Sequence, residues 1–181
     1  VIHFVMKRTW IVWAVLSVFV FVGMGFSDDH MDYHNPDVRV FVKQLKSGTY
    51  NTKNANGIVE VPLFTSKHIP QLLKYTEDMT EIPSFPLPSI SSHFGGKARL
   101  GECMLWIIEG IRLGHSPSLG CKLLHRDAES YEGIYFLTNE EVLEVAALYR
   151  VWWETIEGTP AYSSDNLWTV DPLMLSDYRW W

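Results

Sequence analysis

The segment at residues 99–114, RLGECMLWIIEGIRLG, constrains the fold more than any other part of the chain. Its apolar side chains point in nearly every direction of a helix, so this helix must lie inside a domain with other elements packed around it. Only Glu102 and Glu109, two turns apart on one side, interrupt that surface, each with an arginine three residues away. The segment is also too short and too charged to span a bilayer. We therefore predict a domain built around a central helix at residues 99–113.

An export signal precedes this domain. From Met6 the chain has two basic residues, an apolar run at residues 10–22 and then small residues, which is the order of a secretory signal peptide. We expect a signal peptide over residues 1–26, in which residues 1–5 are a spurious upstream extension. A flexible acidic tether over residues 27–34 follows, and a single helical domain occupies residues 35–181.

The end of the signal determines how the protein is held after export. A lipoprotein signal ends in small residues followed by a cysteine that is acylated, but Phe26 stands at that position, so no thiol is available. The following Ser27, Asp28 and Asp29 nevertheless resemble the acidic export tag of surface lipoproteins of Bacteroides and its relatives. We expect an outer-membrane or surface location if the signal or a lipid anchors the protein, and a periplasmic or secreted protein otherwise.

The charge balance excludes one class of partner. The chain has 15 basic and 21 acidic residues, a net charge of −6, and loss of Lys7 and Arg8 with the signal makes it more acidic. Phosphate binding needs a basic face, so we expect no nucleic-acid partner. The sequence also lacks a P-loop and a dinucleotide-binding fingerprint, and we expect no cofactor.

Three further helices flank the central one. Asn35 as the cap and Pro36 at the first helical position begin one helix, which ends at Gly48. A short second helix is expected after Thr65 or Ser66. The last helix has a capping box formed by Thr138 and Glu141, with Leu137 positioned to pack on Val142, and its apolar face continues to Gly158.

The remaining segments are predicted as a hairpin and long ordered loops. The Asn56-Gly57 dipeptide favours a tight turn, so a short β-hairpin is expected near residues 50–61. The apolar side chains of residues 82–94 and 115–131 recur with neither helical nor strand spacing. This predicts loops that are folded against the core. The aromatic tail is expected to wrap back over the domain. The fold class is thus mainly α, with about four helices packed as αα pairs.

Two carboxylates and a thiol are the candidate catalytic groups. Glu102 and Glu109 could form an acid–base pair, but about 10 Å separates them along a helix, and ion pairs with the neighbouring arginines are the simpler interpretation. Cys103 and His115 could instead act as nucleophile and base, although a thiol within an apolar helix has a raised pKa. No GxSxG or HExxH motif is present.

Metal, disulfide and binding candidates complete the set. His115, Cys121 and His125 are metal-ligand types without a known zinc spacing. Cys103 and Cys121 could form one disulfide in an oxidising compartment, or remain small buried hydrophobic residues. Candidate binding residues for a protein or a glycan are aromatic side chains in the tail and in the proline-rich loop: Trp168, Trp180, Trp181 and Phe85.

Three stretches of the chain resemble the uncharacterised Bacteroides lipoproteins grouped as DUF4943. They are HNPDVRVFVKQLKSGTYN, TSKHIPQLLKY, and RLGECMLWIIEGIRLG with the following PSLGCKLLHR and LTNEEVLEVAALYRVWW, and the resemblance covers residues 34 to about 158. It implies a small, mostly helical protein similar to a fragment of a HEAT-type repeat array. It implies no catalytic residues, and Phe26 departs from the family's lipid-bearing cysteine.

These observations favour a non-enzymatic binding module of the cell envelope or surface, with a protein or glycan as ligand. Two alternatives stay open. One is a small hydrolase that uses Glu102 and Glu109 or Cys103 and His115. The other is an inhibitor or immunity-type protein that binds one protein partner tightly.

Overall fold

Four helices and two small antiparallel sheets form the described part of a computed structural model, which comprises residues 31–87, 98–118, 120–130, 135–157 and 167–181. This confirms the mainly helical class. In chain order the elements are α1 (Val38–Ser47), α2 (Ile69–Leu72, with 3-10 turns Ser66–His68 and Leu73–Tyr75 on either side), β1 (Glu81–Ile82), β2 (Ala98–Arg99), α3 (Leu100–Leu113), β3 (Leu123–His125), α4 (Asn139–Ile156), a 3-10 turn Leu167–Thr169, and β4 (Tyr178–Trp180).

Some predictions concern residues outside the described ranges. They are the signal peptide with Phe26, the first part of the tether, most of the proline-rich loop and the helix end at Gly158. Residues 31–34, which we expected in the flexible tether, pack on the domain instead: Met31 is buried, and the carbonyl of Tyr33 accepts from the N–H of Leu63 at 2.9 Å. The compact unit accordingly begins at Met31. No helix in the described ranges is long and apolar enough to cross a membrane.

Helix α3 is the centre of the domain, as its composition predicts. Every residue from Leu100 to Glu109 is buried, and α3 packs against α1, α2, α4 and the turn Leu167–Thr169. The N-terminal N–H groups of Leu100 and Gly101 donate to the carbonyls of Thr80 and Asp78 at 2.9 and 2.7 Å. The start of the helix is therefore satisfied by backbone of the preceding segment rather than by a side-chain cap.

The start of α1 differs from the prediction. Asp37, not Asn35, is the N-cap, and its carboxylate accepts from the N–H groups of Arg39 and Val40 at 2.7 and 3.3 Å. The prediction of Asn35 as the cap was therefore wrong by two residues, because the Asp37 carboxylate satisfies the first free N–H groups. Gly48 ends the helix as predicted, with a left-handed φ of 70°.

The caps of the other two helices follow the sequence closely. Thr65 precedes α2, where the ring of His68 accepts from the Thr65 N–H at 2.9 Å. Thr138 and Glu141 form the predicted capping box at the start of α4, with bonds of 2.7 and 3.3 Å. The apolar face of α4 is buried, and it consists of Val142, Val145, Ala146, Tyr149, Trp152 and Trp153.

The predicted hairpin is reduced to a turn and one bridged pair. Gly57 has a φ of 76° and donates to the carbonyl of Asn54 at 3.0 Å, while Lys53 and Val59 form a single antiparallel bridge. Ile58 is 60% exposed, so this hairpin contributes little to the core.

Neither sheet was predicted. Strands β1 and β3 lie in or beside segments expected to be loops, β4 lies in the tail, and β2 includes Arg99, which we expected to begin the central helix. Strand β1 pairs with β2 in the register Glu81 to Arg99, and β3 pairs with β4 from Leu123–Trp180 to His125–Tyr178. The second pair holds the aromatic tail against the domain, as predicted, although Leu175 is 99% exposed.

Candidate functional site

A groove of about 450 Å³ lies between the C-terminal half of α3 and the extended segment at residues 60–66. It is lined by Trp106 and Gly110, which are four residues apart and so share one face of α3, and by Gly114, which ends the helix. Two of these three positions have no side chain. The groove therefore forms where the central helix has least side-chain volume.

The opposite wall is fixed by contacts with α1 and α2. The ring of Phe64 packs edge-on against Phe41 at 5.2 Å and against His68 at 5.3 Å between ring centroids. The N–H of Leu63 donates to the carbonyl of Tyr33. These contacts hold an extended segment at a fixed distance from α3.

The floor of the groove is apolar and rigidly placed. The indole N–H of Trp106 donates to Oγ of Ser118 at 3.1 Å, and Phe85 packs edge-on against the Trp106 ring at 5.8 Å. Ile107 and Ile111 lie beside Trp106 on α3. Trp106 is only 6% exposed, so little of its ring is open to the groove.

One carboxylate lies on the rim. Glu60 accepts from the hydroxyl of Tyr33 at 3.1 Å and from the side-chain amide of Asn54 at 2.6 Å. Partial burial, and then the neighbouring Glu60 carboxylate, raise the pKa of Tyr33, which keeps the hydroxyl a neutral donor. His115, exposed just beyond the end of α3, lines the groove as well, and its Nδ1 lies 2.9 Å from the Ser116 carbonyl oxygen.

The rim is also apolar. Ile58 and Val59, which directly precede lining residues, are 60% and 39% exposed, and the lining residue Leu63 is 48% exposed. Exposed aliphatic side chains next to a concave apolar surface are typical of a protein interaction site.

The candidate catalytic carboxylate Glu102 is buried and fully paired. Its Oε2 accepts from Arg99 at 2.9 Å and from Nζ of Lys122 at 3.3 Å, and its Oε1 accepts from the N–H of Leu123 at 2.8 Å. Its exposed fraction is 0%. Glu102 thus joins α3 to the start of β3, and no face of the carboxylate is open to a substrate.

Glu109 is paired in a second buried cluster. Arg112 binds both of its carboxylate oxygens, at 2.6 and 2.8 Å, and the hydroxyl of Tyr149 donates to Oε2 at 2.8 Å. Burial, and then the Glu109 charge, raise the pKa of Tyr149 well above its usual value, so this hydroxyl remains protonated. Trp180 donates its indole N–H to the same hydroxyl at 2.9 Å. The predicted ion pairs are present, but inside the core.

The structure brings together neither the nucleophile–base pair nor the metal set. Cys103 is buried near the start of α3 and His115 is exposed beyond its end, about 15 Å further along the axis. Cys121 lies against Cys103, whereas His125 lies 3.4 Å from Glu141. Across the described ranges, no three His, Cys, Asp or Glu side chains are placed to hold a metal ion.

The aromatic binding candidates have different environments. Trp180 is half-buried, and its indole N–H is engaged by Tyr149. The ring of Trp181 lies directly over Gly120, where a Cβ would come within 1.9 Å of it. Phe85 is half-buried beside the groove. The side chain of Trp168 lies outside what the structure describes.

Of the groove residues, only His115 was a candidate from the sequence, as a catalytic base or metal ligand, and the groove itself was not predicted. The signal that could have found it is the stripe of Trp106, Gly110 and Gly114 on an otherwise bulky helix. Nothing in the sequence indicates that residues 60–66 lie opposite this stripe, because that contact depends on how the loop after the hairpin returns to the core.

Residues 32–181 match the family described as a domain of unknown function, DUF4943. No curated protein and no solved structure gives a significant match to the chain. The family match spans almost the whole described fold, from the segment before α1 to the tail strand β4. On this basis the chain belongs to the DUF4943 family.

Proposed function

We propose that this protein is a non-enzymatic binding module whose groove takes an extended segment of another protein. The observation that carries the proposal is the apolar lining of the groove, which includes the exposed Leu63 and is preceded in the chain by the exposed Ile58 and Val59. A volume of about 450 Å³ suits a few side chains of a partner. The alternative of an inhibitor or immunity-type protein is compatible with this proposal, because such a protein would also bind a protein partner.

The chemistry of the groove favours a polypeptide over a glycan. Sugar rings stack on open aromatic faces, but Trp106 in the groove is almost fully buried. The carboxylate of Glu60 in the groove lining and the acidic balance of the chain favour a partner segment with a basic residue beside its apolar side chains.

The alternative of a hydrolase has less support. It needs a carboxylate or thiol that a substrate can reach, and Glu102, Glu109 and Cys103 are all buried. A binding function needs none of these groups. It uses the groove lining, which is open at Glu60, Leu63 and His115.

A selection from a phage-displayed library of random twelve-residue peptides tests the proposal. We expect peptides with two or three apolar residues and a Lys or Arg to be enriched on the protein. Their affinity falls at least about tenfold for Leu63→Asn, which removes an apolar rim contact. Val151→Asn is the matched control, because Val151 on α4 is an exposed aliphatic residue, 60% against 48% for Leu63, but does not line the groove. Failure to enrich any peptide, or equal losses for both variants, would contradict the proposal.

We also propose that the protein is exported and that it belongs with the Bacteroides envelope lipoproteins, its four helices being related to HEAT-type pairs. The support is the signal-like segment after Met6 and the acidic residues that follow Phe26. Intact mass of the protein purified from membranes and from the medium of its host tests the location. Added acyl mass would mean that the cell makes a Cys in place of Phe26 and that the protein is anchored. Cleavage near Gly25 without lipid supports a secreted or periplasmic protein, and absence of the protein from both fractions contradicts export.

A further inference from the structure

Two cysteines from distant parts of the chain meet in the core. Cys103 lies on the first turn of α3 and Cys121 lies two residues before β3, and the two side chains are 0% and 3% exposed. Both are free thiols in this structure. The two thiols are neighbours, because Cys103 is one of the groups that raise the pKa of the Cys121 thiol.

The residues next to the cysteines hold this arrangement in place. Glu102 accepts the N–H of Leu123 at 2.8 Å and the ammonium group of Lys122 at 3.3 Å. The neighbour of Cys103 is thus bonded to the two residues that follow Cys121. These bonds align the two segments without any covalent link.

We propose that Cys103 and Cys121 form a disulfide that ties α3 to the β3 segment. The oxidant is a disulfide, of a small thiol or of a thiol–disulfide oxidoreductase. One cysteine thiolate attacks the oxidant to give a mixed disulfide and one released thiol. The other cysteine then displaces the second thiol, so two electrons and two protons pass from the cysteines to the oxidant.

Burial determines when this bond can form. Burial, followed by the contact with Cys103, raises the pKa of the Cys121 thiol well above its usual value, so the folded protein holds almost no reactive thiolate there. The bond therefore forms while the chain folds, as in an oxidising export compartment. Once buried, the disulfide is shielded from reductants in solution.

Refolding of the protein from urea in buffers of oxidised and reduced glutathione tests the proposal without relying on export. After acid quenching and alkylation, we expect an intact mass lower by two hydrogens, no alkylation, and a peptide cross-linked between Cys103 and Cys121. The bond closes a loop of modest length, so oxidation should lower the unfolding equilibrium constant about a hundredfold. The oxidised folded protein should also resist dithiothreitol until urea is added.

The variants Cys103→Ser and Cys121→Ser separate this bond from other effects of oxidation. Each lacks one of the two cysteines, so its urea midpoint should not change with the ratio of oxidised to reduced glutathione. The wild-type comparison of oxidised and reduced protein stands even if a variant fails to fold. Two alkylated cysteines at full oxidation, stable mixed disulfides with glutathione, or disulfide-linked dimers would each overturn the proposal.

Discussion

Tyr149 on α4 donates its hydroxyl hydrogen to Oε2 of Glu109 on α3 over 2.8 Å, inside the core. The same hydroxyl accepts the indole N–H of Trp180 on β4, so one oxygen links three elements that are distant in sequence. Arg112 completes the charge balance at Glu109. The core is therefore held together by buried polar bonds as well as by apolar packing.

Removal of this hydroxyl should destabilise the fold. Tyr149→Phe leaves the Glu109 carboxylate with one partner fewer and the Trp180 N–H without its acceptor. We expect the free energy of unfolding in urea to fall by about 1–3 kcal/mol. Tyr178→Phe is the control, because Tyr178 bonds the exposed Glu144 and its loss should cost less than about 0.5 kcal/mol. If both variants lose the same unfolding free energy, the buried Tyr149 hydrogen bond stabilises the fold no more than the exposed one.

Glu102 should act as a structural residue. Glu102→Gln removes the charge that balances two cations with side chains only 12% and 10% exposed, Arg99 and Lys122. Leaving buried charges uncompensated costs about 3–5 kcal/mol of unfolding free energy. Glu154→Gln on the exposed face of α4 should change it by less than about 0.5 kcal/mol. A Glu102→Gln protein with wild-type stability would show that the cluster is not needed for folding.

The same substitution in one helix should have opposite effects at two glycines. A Cβ at Gly101 would lie 2.3 Å from the carbonyl oxygen of Thr76, so Gly101→Ala forces α3 away from its neighbour. At Gly110 the nearest atom is 3.5 Å away, which is ordinary contact. We expect thermal unfolding of Gly101→Ala at a clearly lower temperature, whereas Gly110→Ala gains up to about 1 kcal/mol of helix propensity. A stable Gly101→Ala protein would contradict the close packing at Thr76.

His68 should make stability depend on pH. Burial, and then the charge of Lys67, lower the pKa of His68, whose Nδ1 must be unprotonated to accept from Thr65. The unfolded chain therefore binds a proton more readily than the folded protein. The contribution of His68 is complete above the unfolded pKa of about 6.5, and it decreases as the pH falls through that value towards the folded pKa.

Urea unfolding at several pH values between 5.5 and 7.5 measures this effect. His68→Asn, which can accept the same bond without titrating, should show a flatter dependence than wild type. His34→Asn is the control at an exposed position and should leave the slope unchanged. If the unfolding free energy depends on pH identically in wild type and His68→Asn, His68 does not contribute to the pH dependence of stability.

The helices could be predicted because their signals are local. The buried faces of α1, α3 and α4 follow from the spacing of apolar residues, and Gly48 and Thr138 mark a helix end and a helix start. The short sheets could not be predicted in this way. Two- and three-residue strands have no visible period, and β3 pairs with a segment more than fifty residues away.

The candidate site shows the same limit. The ion pairs of α3 were predicted from an interval of three residues, but their burial depends on Lys122, Leu123 and Tyr149, which approach from other elements. Asp37 replaced Asn35 as a cap because two capping residues stand close together and only the geometry selects between them. The groove requires two segments that are distant in the sequence, so its volume is visible only in the fold.

An NMR titration of the isotope-labelled protein with the tightest-binding peptide from the library shows whether the peptide binds in the groove. We expect chemical-shift changes concentrated on the Trp106 indole N–H and on the amides of Leu63, Ser66 and His115. Changes confined to the β3–β4 sheet or to the outer face of α4 would contradict it, because the peptide would then bind outside the groove.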